Sequence, residues 1–165
     1  MRVADRIAVF KDGKILQIGT PEEIYNKPNC LYVADFLGEN TTLEGRIKKK
    51  KEDSYFITSS GLEFKIITDL KDGEEAIALI PSELLDIFSV EEKTSIKYDN
   101  IFEGTIHSSK CVGEFNEVQI ILNDIIFRAK DLIGKKIPLK KGSKVLVATD
   151  KDDYRIFAKE KEIEK

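Results

Sequence analysis

With 165 residues, the chain is long enough for one ordinary domain or two small ones, and its 41% apolar content supports a packed core rather than disorder. Charged residues reach 35%, yet 27 Lys and Arg nearly balance 30 Asp and Glu, and the net charge of −3 excludes a global basic field for nucleic acid or an anionic membrane. Charge is local instead, in a basic run from Lys48 to Lys51 and a mixed tail from Lys159 to Lys165.

The opening Met1-Arg2-Val3-Ala4-Asp5 lacks the apolar stretch of a signal peptide, and no run is long enough to span a bilayer, which predicts a cytoplasmic protein. Val3 to Gly19 reads as a β-hairpin, because Ile7, Val9 and Phe10 precede Asp12-Gly13, a dipeptide suited to the positive φ angles of a tight turn, and Lys14 to Ile18 returns. Thr20-Pro21-Glu22-Glu23 is a helix start: Thr20 caps, Pro21 fits the first helical position and Glu23 completes a capping box. Lys27-Pro28-Asn29 breaks this helix, and a second short one is expected from Cys30 to Leu37, ending at Gly38.

After Gly38 the pattern turns to short apolar-rich runs: Leu43 to Lys50, Ser54 to Thr58, Leu62 to Thr68 and Glu75 to Pro81, with one helical turn expected over Ser82 to Leu85. A polar connector, Glu91 to Asp99, leads to a second set: Ile101 to Cys111, Glu117 to Leu122, Ile125 to Lys130, Ser143 to Thr149 and Tyr154 to Ala158. Strands at this spacing argue for a small barrel rather than βαβ units. Leu43-Glu44-Gly45-Arg46-Ile47 echoes Phe102-Glu103-Gly104-Thr105-Ile106, and each set later reaches a Lys-x-Gly turn, Lys71 to Gly73 and Lys140 to Gly142. The match is short enough to arise by chance, so repeat and coincidence both stay open. A glycine inside each strand fits a bulge or a close backbone approach.

The run Ala4-Asp5-Arg6-Ile7-Ala8-Val9-Phe10-Lys11-Asp12-Gly13-Lys14 to Tyr25, continued by Asn26-Lys27-Pro28 and Val33 to Asn40, resembles the closing stretch of ABC importer ATPases, just after that family's switch histidine. Leu43-Glu44-Gly45, Ala78-Leu79-Ile80-Pro81-Ser82-Glu83, Asn100 to Gly104 and Asp152 to Phe157 resemble the TOBE-type regulatory domain that follows in such importers. The resemblance implies a mostly β fold, an OB-like TOBE barrel preceded by a hairpin and two short helices. It divides the chain into a remnant of the nucleotide-binding domain (1–38), the barrel (39–159) and a charged tail (160–165). It also implies a homodimer through the barrel, with interface strands in Leu43 to Thr68 and Ile101 to Lys130 and with Phe56, Phe64 or Phe127 as contacts or core. ABC ATPase and permease subunits are the implied partners of a parent complex. The chain is then expected to be part of a longer ATPase, through truncation, a misplaced start or a split gene, with the remnant before Glu39 loosely held or packed on another copy.

Departures from the family limit the chemistry. Nucleotide binding needs a Gly-rich loop with Lys and Ser or Thr beside it. Gly134-Lys135 comes nearest, but Ala129 stands where the first Gly belongs and Lys136 where Ser or Thr should follow, so no ATPase activity is expected of these residues alone. Oxyanion-binding members use a Ser-x-Arg-Asn-like and a Lys-Ala-Ser-like segment. These fall on Lys97-Tyr98-Asp99-Asn100 and Asp150-Lys151-Asp152-Asp153, whose carboxylates would repel an oxyanion. Asp150, Asp152 and Asp153 lack the Gly and bidentate Glu of a calcium loop and read as a solvated turn. The Lys48 to Lys51 run near Tyr55 and Phe56 suggests a nucleic-acid-binding barrel, but Glu52 and Asp53 adjoin it and favour a solvated hairpin end. His107 reads as a partly exposed strand residue, Cys30 and Cys111 as free thiols, and no catalytic set, metal site or cofactor site emerges.

Overall fold

The computed structural model describes residues 4–36, 38–133 and 137–159; Val3, Leu37, Gly134, Lys135, Lys136 and the 160–165 tail lie outside them. The chain divides into two compact units, Met1–Glu39 and Asn40–Lys165.

In the first unit, β1 (Ile7–Lys11) and β2 (Lys14–Gly19) form the expected antiparallel hairpin. Asp12 (φ 49°) and Gly13 (φ 74°) both adopt the left-handed conformation that a two-residue turn between twisted strands requires. Helix α1 (Pro21–Asn26) starts as its residues dictate: the Thr20 hydroxyl accepts the Glu23 N–H at 3.2 Å, and the Glu23 carboxylate accepts the Thr20 N–H at 2.8 Å. Helix α2 (Leu31–Phe36) follows. Gln17 and Asn29 bind the loop between the helices to β2, with Asn29 N–H donating to Gln17 Oε1 at 2.8 Å and Asn29 Nδ2 to the Leu16 carbonyl at 2.6 Å. Val9, Ile24 and Val33 are the buried centre of this unit.

Among its described residues the second unit's regular elements are strands and one 3-10 turn at Val90–Glu92. Its strands are β3 (Asn40–Lys50), β4 (Asp53–Thr58), β5 (Glu63–Ile66), β6 (Glu75–Pro81), β7 (Asp86–Phe88), β8 (Asn100–Val112), β9 (Phe115–Leu122), β10 (Ile125–Leu132), β11 (Lys144–Thr149) and β12 (Arg155–Ala158). Ser82 to Leu85 is a single turn, closed by Leu84 N–H donating to the Pro81 carbonyl at 3.0 Å. Two curled five-stranded sheets result, ordered β12-β6-β3-β4-β5 and β10-β9-β8-β11-β7. The fold is thus mostly β and OB-like.

The two orders reveal a twofold repeat in which β3 to β7 correspond to β8 to β12. Each repeat surrenders its last strand: β7 leaves β6 to join β11, and β12 leaves β11 to join β6. The correspondence extends to single hydrogen bonds. Gly73 N–H donates to the Ile47 carbonyl and Gly142 N–H to the Ile106 carbonyl, both at 2.8 Å, while Ile47 and Ile106 N–H groups return to Glu74 and Ser143. The pentamer echo and the Lys-x-Gly turns are therefore a real repeat.

Within both pentamers the glycine faces the core because its neighbours leave no room for a Cβ. At Gly45 that atom would lie 2.4 Å from the Ile57 carbonyl oxygen and 2.7 Å from the Phe56 ring; at Gly104 it would lie 2.5 Å from an Ile120 methyl. One core draws from both sheets. Phe64 sits at its middle, 4.8 Å from Phe102, 5.5 Å from Tyr154 and 6.0 Å from Phe127, centroid to centroid.

Candidate functional site

Gly134, Lys135 and Lys136 lie outside the described residues; the other sites suggested by the sequence are placed as follows. Ala129, at the position of a phosphate loop's first glycine, is a buried residue of β10, so the run toward 134 begins as a sheet strand. The candidate contact aromatics Phe56, Phe64 and Phe127 are all core residues, 2% exposed or less, and are not contact surface. They fall on inward positions of alternating strands, where burial of a whole phenyl ring is most favourable. His107 is half-buried on β8, at the irregularity between Ile106 and Ser108. Cys30 is half-buried and Cys111 exposed, both as free thiols.

The basic run ends the β3–β4 hairpin, with Lys51 at φ 56° in the turn. Lys48, Lys49 and Lys50 are occupied within the chain. Lys48 pairs with Asp72 at 3.6 Å, Lys50 with Glu63 at 2.5 Å while lying over the Tyr55 ring, and Lys49 Nζ donates to Ser54 Oγ and the Thr68 carbonyl at 2.8 Å each. The Lys49 N–H and Lys48 hold the Asp72 carboxyl below the usual range. A cavity of about 450 Å³ opens beside β3 among Glu44, Arg46, Lys48, Thr58, Glu75 and Lys159. Here too the charges are matched, Arg46 with Glu75 at 3.7 Å and Lys159 with Glu44 at 2.7 Å. This face is a lattice of mixed charge rather than a cationic track.

The two segments aligned with an oxyanion site do converge. Just beyond the Asn100–Thr149 end of the β8–β11 ladder, Asp99 N–H donates to Asp150 Oδ1 at 3.3 Å and Lys151 N–H donates to Asp99 Oδ2 at 3.2 Å. Lys65 Nζ bridges Asp53 at 3.0 Å and Asp99 at 3.9 Å, and its ammonium is held above its usual pKa first by the Asp53 bond. Asp153 accepts the Asp150 N–H at 2.6 Å; burial, then Asp152, Asp150 and Asp86, push its carboxyl up. Tyr98 donates to Asp86 Oδ2 at 2.6 Å, and that bond, burial and the neighbouring carboxylates push the phenol up to about 12. The convergence surrounds its centre with carboxylates, and these consume the N–H groups an anion would need.

Lys65 and Asp86 escaped the sequence reading. Lys65 reaches the site from a strand 35 residues earlier than Asn100, and Asp86 opens a three-residue strand too short to register as periodic. The parallel between Asp86-Ile87-Phe88 and Arg155-Ile156-Phe157, which occupy equivalent places beside β11 and β6, was the available signal.

No protein-family model matches the chain. The spermidine/putrescine import ATP-binding protein PotA of Borreliella afzelii is 31% identical over 160 residues, 97% of this chain and 42% of that protein. PotA of Thermotoga maritima is 26% identical over 125 residues, covering 74% of this chain and 34% of the relative. The putrescine transport ATP-binding protein PotG of Escherichia coli is 45% identical over 62 residues, 38% of this chain and 16% of that protein. The chain thus spans less than half the length of these curated relatives. Among solved structures, the cytoplasmic molybdate-binding protein ModG superimposes with a TM-score of 0.63 over 72% of this chain and 95% of its own, at 13% identity, a likeness of fold. Sequence and fold together identify the chain as a homologue of the C-terminal region of ABC importer ATP-binding subunits, with the end of the nucleotide-binding domain followed by a TOBE-type, OB-like domain.

Proposed function

We propose that the chain is the accessory and regulatory part of an ABC importer's ATP-binding subunit, supporting subunit pairing and control of uptake, without ATPase activity of its own. The observation that carries this reading is the 97% coverage of the chain by the alignment to the Borreliella protein. The names of the relatives support a polyamine as cargo of the parent complex, and they support the inner face of the membrane as its place, reached through a permease. Among the described residues no helix is long and apolar enough to cross a membrane.

The hairpin unit supports the link to a catalytic portion. Phe10, Ile15 and Ile18 of the hairpin are each about half exposed, an apolar group of the kind that packs against further protein. The ATPase core is its proposed cover. Pairing of two copies belongs to the second unit and uses a surface other than Phe56, Phe64 and Phe127, which are committed to the core. An intact ATPase whose catalytic part lies upstream is the parent in this reading.

Phosphate release by the purified chain is the direct test. We expect none above a buffer control, and turnover abolished by a substitution within these residues would overturn the reading. Sedimentation equilibrium is expected to show dimers at high concentration. In cells, spermidine uptake is expected to require the chain fused to, or co-expressed with, its catalytic portion; uptake of an unrelated solute instead would overturn the polyamine assignment alone.

A further inference from the structure

The two repeats turn different faces to solvent. On the outer side of β4 and β5 the first repeat is charged, and its charges are matched within the chain, Lys50 with Glu63 and Lys65 with Asp53 at 3.0 Å. On the outer side of β9 and β10 the second repeat is apolar at both ends. The register pairs Ile121 with Ile126 at one end and Phe115 with Leu132 at the other. Ile126 is 46% exposed and Leu132 66%, and Ile133, next in the chain, is 53% exposed. Between these ends the register pairs Gln119 with Arg128 and Glu117 with Lys130. Alternation puts these four pairs on one face, since Val118, Ile120, Phe127 and Ala129 between them are buried. Ile126 is the counterpart of Glu63: each is the cross-strand partner of an isoleucine at the equivalent place, Ile121 and Ile57.

We infer that this face of β9 and β10 is where a second copy of the chain docks. A twofold axis parallel to the strands and midway between them lays β9 of one copy over β10 of the other. Each residue then meets the kind of residue it already matches across its own sheet. Ile121 meets the partner's Ile126, Phe115 the partner's Leu132, Glu117 the partner's Lys130 and Gln119 the partner's Arg128. Symmetry makes every contact twice, with apolar ends and opposite charges between them. The face is therefore complementary to itself, as a patch of single sign would not be, and calls for a copy rather than an acidic or basic partner. Two strands of eight residues cover roughly 27 Å by 10 Å, at the low end of specific interfaces. Pairing is thus weak in isolation and gains from tethering when both copies belong to one complex. The inference rests on the pairing reading above and gives that pairing its surface.

Sedimentation of the full chain over a range of concentrations tests it. Ile126→Glu installs the residue that the first repeat carries at the equivalent position. It is expected to raise the dimer dissociation constant by about tenfold or more, because a carboxylate then enters an apolar contact made twice. Glu117→Lys and Lys130→Glu each set like charges together at both contacts and are expected to weaken association severalfold at low salt. Mixed, the two variants regain opposite charges at both contacts and are expected to associate with each other as tightly as the parent chain, which a folding defect in either would prevent. Glu63→Lys, on the first repeat, is expected to leave association unchanged. Dimers indifferent to Ile126→Glu and to both reversals would overturn this surface while the pairing reading stands. A chain monomeric at every concentration would overturn both and leave the face to a different partner.

Discussion

The hairpin–helix unit and the repeat domain achieve order by opposite means. The first rests on a small buried cluster, Val9, Ile24 and Val33 among its described residues, and is assembled from contacts close in sequence: a two-residue turn, a capping box and an Asn29 clip. The second buries twenty apolar residues in one cluster and joins strands far apart in the chain, as Thr41 to Arg128. Local rules fix the shape of the small unit but supply little burial, so its own stability is slight. Long-range pairing makes the large unit slow to assemble and cooperative once formed.

The sharpest way to break this contrast is Phe56→Ala. It removes a fully buried ring beside Gly45 and is expected to cost about 3–5 kcal/mol in the main denaturant transition. Ile24→Ala should leave that transition in place and show instead as faster proteolysis or exchange in residues 7–36. A shift of the main midpoint as large as that of Phe56→Ala would mean that the units unfold as one.

A smaller effect separates the repeats themselves. Gly45→Ala drives its new methyl into a backbone carbonyl as well as the Phe56 ring, whereas in Gly104→Ala the tightest contact is a side-chain methyl of the buried Ile120, whose displacement moves a side chain rather than the backbone. The first should cost about 1–3 kcal/mol and the second less, by equilibrium unfolding. Equal costs would show that the two pentamers are interchangeable after all. Thr20→Ala should cost about 1 kcal/mol, confined to α1 and visible in local exchange alone.

The weakest effects are electrostatic. Asp153 has a folded-state pKa raised above its unfolded value, so the native state binds its proton more tightly. Stability from this group is present in acid and lost as pH rises through that raised pKa. Asp72 is shifted the other way and contributes stability present above its unfolded pKa and lost as pH falls through the lowered one. Asp153→Asn should therefore remove a decline with rising pH, and Asp72→Asn a gain, in melting temperatures measured from pH 3 to 7.

Much of this fold was legible. Asp12-Gly13 and Thr20-Pro21-Glu22-Glu23 carry their geometry in adjacent residues, and the long strands follow from alternation, as in Ser54 to Thr58. Asp86–Phe88 was missed because three residues show no period, and with it went the exchange of final strands. The two segments aligned with an oxyanion site lie far apart in sequence, and the structure joins them. Their partner Lys65 was hidden because only the folded topology brings β5 to the start of β8.

The exchange of β7 and β12 has a consequence for any shortened version of the protein. A stop just ahead of Arg155 deletes the last strand of the second repeat, yet the wound opens in the first, where β6 is left as a bare border lined by Glu75 to Pro81. Such a border is a ready template for another polypeptide. Loss of the strand at 155–158 would thus surface as clumping at a border some 75 residues earlier in the chain.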